Sequence, residues 1–253
     1  MTTYTDGPLT RRDKSILAGL YLSKFDAEGL HSLGFDSFIE AFNVIGSALG
    51  VRPASVKNYR DEFDPLFPNE RKGWHKRPVR GYCKVLFGSF GDLSLHEFTE
   101  LLKRIIYKEH DLGLLMDEVE KREGEDRSFA KRLITGQAAE QYFRSRYKEI
   151  VAFRDFELED TTKLGCGFDF RLSSPAVFYA IEVKGLSESS GSIALTGKEH
   201  SVASILRTRF FLFVVKNFKE KPFHEFYQEP LNGKLVFNRV EQRTVQISWT
   251  TKL

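Results

Sequence analysis

A carboxylate and an amine interrupt an otherwise apolar run in the second half of the chain. The stretch Phe178–Glu188, FYAIEVKGLSE, reads as a buried strand that ends at Gly185, yet Glu182 and Lys184 sit inside it. Residues two apart in a strand face the same side. Glu182 and Lys184 therefore point together, while Ile181 and Val183 point into the opposite layer. Upstream, LGCGFDFRLSS places Asp169 at the start of another short strand. The segment Ser173–Phe178 is long enough to join two antiparallel neighbours, which brings Asp169 beside Glu182.

Two carboxylates and a lysine make chemical sense together. Carboxylate oxygens suit a hard cation such as Mg²⁺, which keeps several waters and accepts phosphate oxygens as further ligands. Such a metal lowers the pKa of a bound water and offsets charge developing on phosphate. A lysine beside it orients the water or stabilises the transition state. A Glu–Lys pair on an exposed strand face is worth little, and that plainer reading explains neither the apolar setting nor the upstream GFD.

Asp169 followed across a hairpin by Glu182-Val183-Lys184 resembles the PD-(D/E)XK nuclease superfamily, with Phe168 standing where the name has proline. GQAAEQYF (Gly136–Phe143) is similar to the first core helix of that fold, IALTGKEHSVA (Ile193–Ala203) to the helix after the Glu-x-Lys strand, and RFFLFVVKNF to the strand that follows. The run IEVKG…LTGKEHSVA resembles more narrowly the NO VEIN C-terminal type. The resemblance covers roughly Ser128 to Asn217. It implies that Asp169 and Glu182 are metal ligands, that Lys184 positions the attacking water, and that Glu140 is a further acid beside that metal or on a second one. Lys198 and Glu199, which open the second helix close to the site, are secondary candidates.

The elements that must position these residues are legible as two unlike halves. The first ~130 residues are mostly helical by their apolar spacing of three and four: SILAGLYLSKF, SFIEAFNVIGSALG, LHEFTELLKRIIY and LGLLMDEVEKRE. The charged, glycine-broken segment Glu120–Phe129 is the linker candidate. One more helix, AKRLITGQAAEQYFRSRYKEI, precedes β-rich runs: IVAFRDFEL, GFDFRL, VFYAIEVKG, RFFLFVV, KLVFN and TVQISW, interrupted by the helical TGKEHSVASILRT. This order predicts an α/β (α+β) fold, a restriction-endonuclease-like mixed central sheet flanked by helices and preceded by a helical domain. The expected domains are 1–125 and 126–253.

Within the helical half, Ser37–Phe67 reads as two short helices joined by a glycine-containing turn. Phe42, Ile45 and Leu49 form an apolar stripe that Val56 and Tyr59 continue. Gly50 suits a left-handed helix end and Pro53 a first helical position. In a helix-turn-helix the second helix enters the major groove with its early residues on base edges. Here these are Arg52, Ser55, Lys57, Asn58 and Arg60. The window Arg52–Lys84 holds nine Lys or Arg, among them Lys72, Lys76 and Arg77, against four acids, with Tyr59, Trp74 and Tyr82 interleaved. That composition suits a polyanion such as nucleic acid. The alternatives are a plain helical hairpin packed on the second domain and an ordinary solvated face.

Composition narrows the field. The chain has 253 residues, 41% hydrophobic and 13% aromatic, with 23 Phe. That excludes a disordered polymer. No run approaches the ~20 apolar residues of a membrane span, and the first residues carry no signal-peptide core. With Cys83 and Cys166 as the only cysteines, there is no disulfide framework or four-cysteine zinc site; a cytoplasmic location is expected. None of the six His falls in a paired metal spacing, and His200 reads as a partly exposed helix residue. No G-x-x-x-x-G-K-[ST] phosphate loop occurs. The expectation is a Mg²⁺-dependent, sequence-specific endonuclease acting on double-stranded DNA as a type II restriction enzyme, without a nucleotide cofactor and as a homodimer. Alternatives are a nuclease for modified or damaged DNA and an inactive DNA-binding regulator.

Overall fold

The structure, a computed structural model, describes residues 9–71, 73, 77–106, 126–233, 235–241 and 251. The expected helix at 112–123, the strand at 244–249 and residues 120–125 of the linker candidate lie outside the described residues, as do Lys72 and Lys76.

Helices lead. α1 (Arg11–Lys24) and α2 (Asp26–Ser32) are followed by α3 (Phe38–Ala48), α4 (Pro53–Phe63), α5 (Gly81–Phe90) and α6 (Leu95–Ile106). α7 (Asp126–Arg146) then opens the second half, and residues 126–129 of the linker candidate form its first turn. A capping box starts α1, in which the Thr10 hydroxyl accepts from Asp13 N and the Asp13 carboxylate accepts from Thr10 N. Ser37 caps α3 through Glu40 N. Gly50 takes φ +67° after α3, and Pro53 begins α4, as the residue pattern predicts.

The sheet has five strands in sequence order: β1 (Glu157–Asp160), β2 (Phe170–Ser173), β3 (Phe178–Gly185), β4 (Phe210–Lys216) and β5 (Phe223–Gln228). All neighbours are antiparallel except β3 and β4, which run parallel and are joined through α8 (Gly197–Leu206). A parallel pair needs such a crossover. The fold is therefore mixed α+β, a mixed sheet preceded by a helical region.

Alternation along the strands separates two layers. Phe170, Ile181, Val183, Phe211 and Phe213 join one large buried cluster with Ala138, Ala139 and Phe143 of α7. Ala180 and Phe210 form a smaller cluster with Ala203 of α8 on the other face. The larger cluster continues into the helical half through Ile16, Leu20, Phe42, Ile45 and Phe63. Asn43 on α3 strengthens that join, since its Nδ2 donates to the carbonyls of Phe218 (2.7 Å) and Glu220 (2.9 Å).

Two strand expectations need correction. IVAFRDFEL is strand only from Glu157. Before that, Phe153 N and Arg154 N donate back to the Ile150 carbonyl in a turn, and fully buried Phe153 packs edge-on against Phe143 and Phe211. KLVFN contributes no strand over residues 235–238. The edge of β4 is already taken by β5, and Val236 stands 87% exposed.

Candidate active site

β2 and β3 bring the predicted acids together. Phe170 pairs with Ile181, and Asp169 N donates to the Ile181 carbonyl at 2.9 Å. One step further along that register Asp169 faces Glu182. The Asp169 side chain is locked as well, because its Oδ2 accepts from Val183 N at 2.8 Å. Gly185 ends the functional stretch at a close approach, where a Cβ would lie 2.7 Å from the Thr135 carbonyl oxygen of α7. Only glycine lets β3 pass α7 at that distance.

The lysine is held from two sides. Lys184 Nζ lies 2.6 Å from Glu182 Oε1 and 3.0 Å from Glu199 Oε2. Glu199 holds its own position through the capping box of α8, where its Oε2 accepts from Thr196 N at 2.8 Å and Thr196 Oγ1 accepts from Glu199 N at 3.2 Å. The helix start and the strand lysine are thus tied through one carboxylate. Lys198, beside it, is exposed and packs over Gly167 in the turn before Asp169.

The electrostatics follow from burial. Glu182 is 3% exposed. Loss of water disfavours the charged carboxylate, so burial first, and then the neighbouring Asp169, raises the Glu182 pKa well above the usual range. Asp169 is lifted to about 7, again by burial and then by the charge of Glu140, with the Val183 N–H and Lys184 pulling the other way. For Lys184 burial acts downward, but Glu182 and Glu199 outweigh it and raise its pKa, so the ammonium stays charged.

Asp169, Glu182 and Lys184 face one cleft of about 800 Å³, which Glu140 of α7 and Glu199 of α8 also line. The opposite wall comes from the helical half: Phe35 and Asp36 of the α2–α3 loop reach it. Lys131 of α7 bridges to them, with Nζ 3.2 Å from Asp36 Oδ2 and 3.1 Å from Glu40 Oε1. Asp36 and Lys131 were not expected at the site. Neither belongs to a recognisable spacing, and the loop reaches the cleft only through the packing of α3 on α7.

Residues 137–228 match the family model described as Protein NO VEIN, C-terminal. The matched region runs from α7 through β5, covers less than half of the chain, and contains Glu140, Asp169, Glu182, Lys184 and Glu199. The domain is linked to the PD-(D/E)XK nuclease-like group. No curated protein and no solved structure matches the chain. No helix among the described residues is long and apolar enough to cross a membrane.

The residues picked for DNA contact divide. Arg52, Lys57 and Asn58 are exposed and Ser55 is half-buried, on the first two turns of α4. Lys57 pairs with Asp61 at 2.6 Å across one helical turn. Arg60 is a correction: it is 8% exposed, its guanidinium bonds Asp61 at 2.7 Å and approaches Asp64, and it lies over the rings of Phe38 and Phe42. Its side chain leans onto α3, where the rings of Phe38 and Phe42 and the carboxylate of Asp61 hold it, although Lys57 three residues earlier reaches solvent. Arg77 is tied to buried Glu62 at 2.6 Å. Both arginines brace the fold.

Proposed function

We propose that the chain is a Mg²⁺-dependent endonuclease that hydrolyses phosphodiester bonds of double-stranded DNA at defined sequences, in the manner of a type II restriction enzyme. The observation that carries this reading is the meeting of Asp169, Glu182 and Lys184 on one sheet face at the floor of an open cleft, within the region that matches the NO VEIN C-terminal model.

The donor set fits Mg²⁺ better than zinc. Among the described residues there is no group of three or more His, Cys, Asp or Glu side chains placed to hold a metal, so a closed zinc site of protein ligands is not available. Mg²⁺ needs only one or two carboxylates when water and phosphate complete its shell. Asp169 and Glu182, both pushed toward their protonated forms by burial, are the pair a cation would relieve. When bound, Mg²⁺ would supply a water of lowered pKa and offset charge on the phosphate.

The chain's own residues do the rest. Asp169 is fixed by Val183 N, so its second oxygen is aimed without loss of rotamer freedom on binding. Lys184 keeps a charged ammonium at the cleft floor, able to orient a water and to face the negative charge that grows in the transition state. Glu199 holds that ammonium in place. The exposed start of α4 would read bases, and a C2 dimer would bring one site to each strand.

Digestion of phage DNA with Mg²⁺ tests the specificity. Discrete fragments that vanish with Asp169→Asn are expected. A smear of random lengths would overturn the site-specific reading.

A further inference from the structure

The exposed start of α4 does not stand alone. α1 and α4 lie side by side and parallel. At one end Ser23 Oγ donates to Asp64 Oδ1 at 2.8 Å. In the middle Gly19 touches Tyr59 and Arg60. At the other end Arg11 lies over Gly50, in the turn before Arg52. Both helices therefore start at the same edge of the molecule. α5 starts there too, since the Arg12 guanidinium is 3.6 Å from the Tyr82 ring centroid and Arg80 is 5.2 Å from it.

This edge gathers Arg11, Arg12, Arg52 and Arg80. Arg80 is tied to Glu62 at 2.8 Å. Arg11, Arg12 and Arg52 are exposed and form no ion pair among the described residues. The Arg12 guanidinium stacks on the face of the Tyr82 ring, which positions the group without neutralising it. Clustered like charges repel one another, so a polyanion is their natural complement. The guanidinium fork matches phosphate oxygens in pairs.

We propose that Arg11 and Arg12 bind backbone phosphates of the duplex beside α4, so that α1 clamps the strand whose bases the start of α4 faces. The clamp rests on the reading of the chain as a DNA enzyme. It adds two residues that lie outside the basic window of 52–84.

The salt dependence of binding tests it, with the full chain, a short DNA duplex and EDTA to hold hydrolysis off. Each lost phosphate contact flattens the slope of log K against log salt by about 0.9. Arg11→Ala, at the turn of Gly50, should flatten it by about 0.9, and Arg11→Ala with Arg12→Ala by about 1.8. Unchanged slopes in both variants, with the wild type binding, would overturn the clamp and leave the DNA reading standing. A wild type that binds no duplex at any salt would overturn both.

Discussion

Lys184 Nζ lies 2.6 Å from Glu182 Oε1, on the same face of β3, and a second carboxylate, Glu199, lies 3.0 Å away. Among the described residues the ammonium is the one cation paired with these two carboxylates. Lys184→Ala therefore leaves Glu182 buried without its counter-charge. The expected loss of stability is about 3 kcal/mol, the low end for breaking a buried pair because the Lys184 side chain keeps 22% exposure. Urea titration at pH 8 measures it; a loss below experimental error would mean that the pair contributes nothing to folding.

The raised carboxylates set a pH dependence with a definite sign. An ordinary Asp titrates near pH 4, whereas Asp169 in the folded chain does so at about 7. Between those values the folded chain holds a proton that the unfolded chain has released. Stability from this group therefore falls as pH rises through that window, and the loss is complete above about 7. Glu182 acts in the same direction. In EDTA, Asp169→Asn should gain melting temperature relative to wild type between pH 5 and pH 8. A constant difference across that range would contradict the assigned shift.

Asn43 links the helical region to the sheet. It donates to two carbonyls, of Phe218 and Glu220, and is 8% exposed. Asn43→Ala leaves both acceptors short of a partner in a buried setting, at a cost of roughly 2 kcal/mol. Chemical denaturation followed by far-UV dichroism and by intrinsic fluorescence should show one shared transition at a lower midpoint. Two separate transitions in the wild type would show that the halves unfold independently.

Two glycines in helices should respond in opposite ways. A Cβ on Gly19 of α1 would fall 2.5 Å from Tyr59 Cβ and 2.7 Å from Arg60 N, so Gly19→Ala pushes α4 away and costs about 2–3 kcal/mol. Gly88 of α5 is exposed with nothing within 4 Å of that position. Gly88→Ala should add about 1 kcal/mol through helix propensity. Melting curves of the two variants check the contrast, and a stabilised Gly19→Ala would refute the close packing of α1 on α4.

The β2–β3 hairpin was legible because its signals are local. The period of two sets the facing of Glu182 and Lys184, Gly185 marks the strand end, and the short connection fixes the partner strand. β5 was not legible. FHEFYQ is a half-exposed edge strand whose alternation is diluted by His224 and Glu225, and it is specified by its pairing with β4. The buried role of Arg60 was hidden for a related reason. Charge pattern alone does not separate an arginine on a solvent face from one stacked on Phe38 and Phe42 and bonded to Asp61. The cleft wall from Phe35 and Asp36 depends on long-range packing of α3 on α7, which no local spacing encodes.

The most direct measurement is cleavage of long duplex DNA in Mg²⁺ by the wild type and by Lys184→Ala, prepared side by side. The proposed chemistry predicts discrete fragments from the wild type, none after EDTA, and none from Lys184→Ala although it still binds the duplex. Cutting by Lys184→Ala at the wild-type rate, or a wild type that binds DNA and leaves it intact in Mg²⁺, would contradict it.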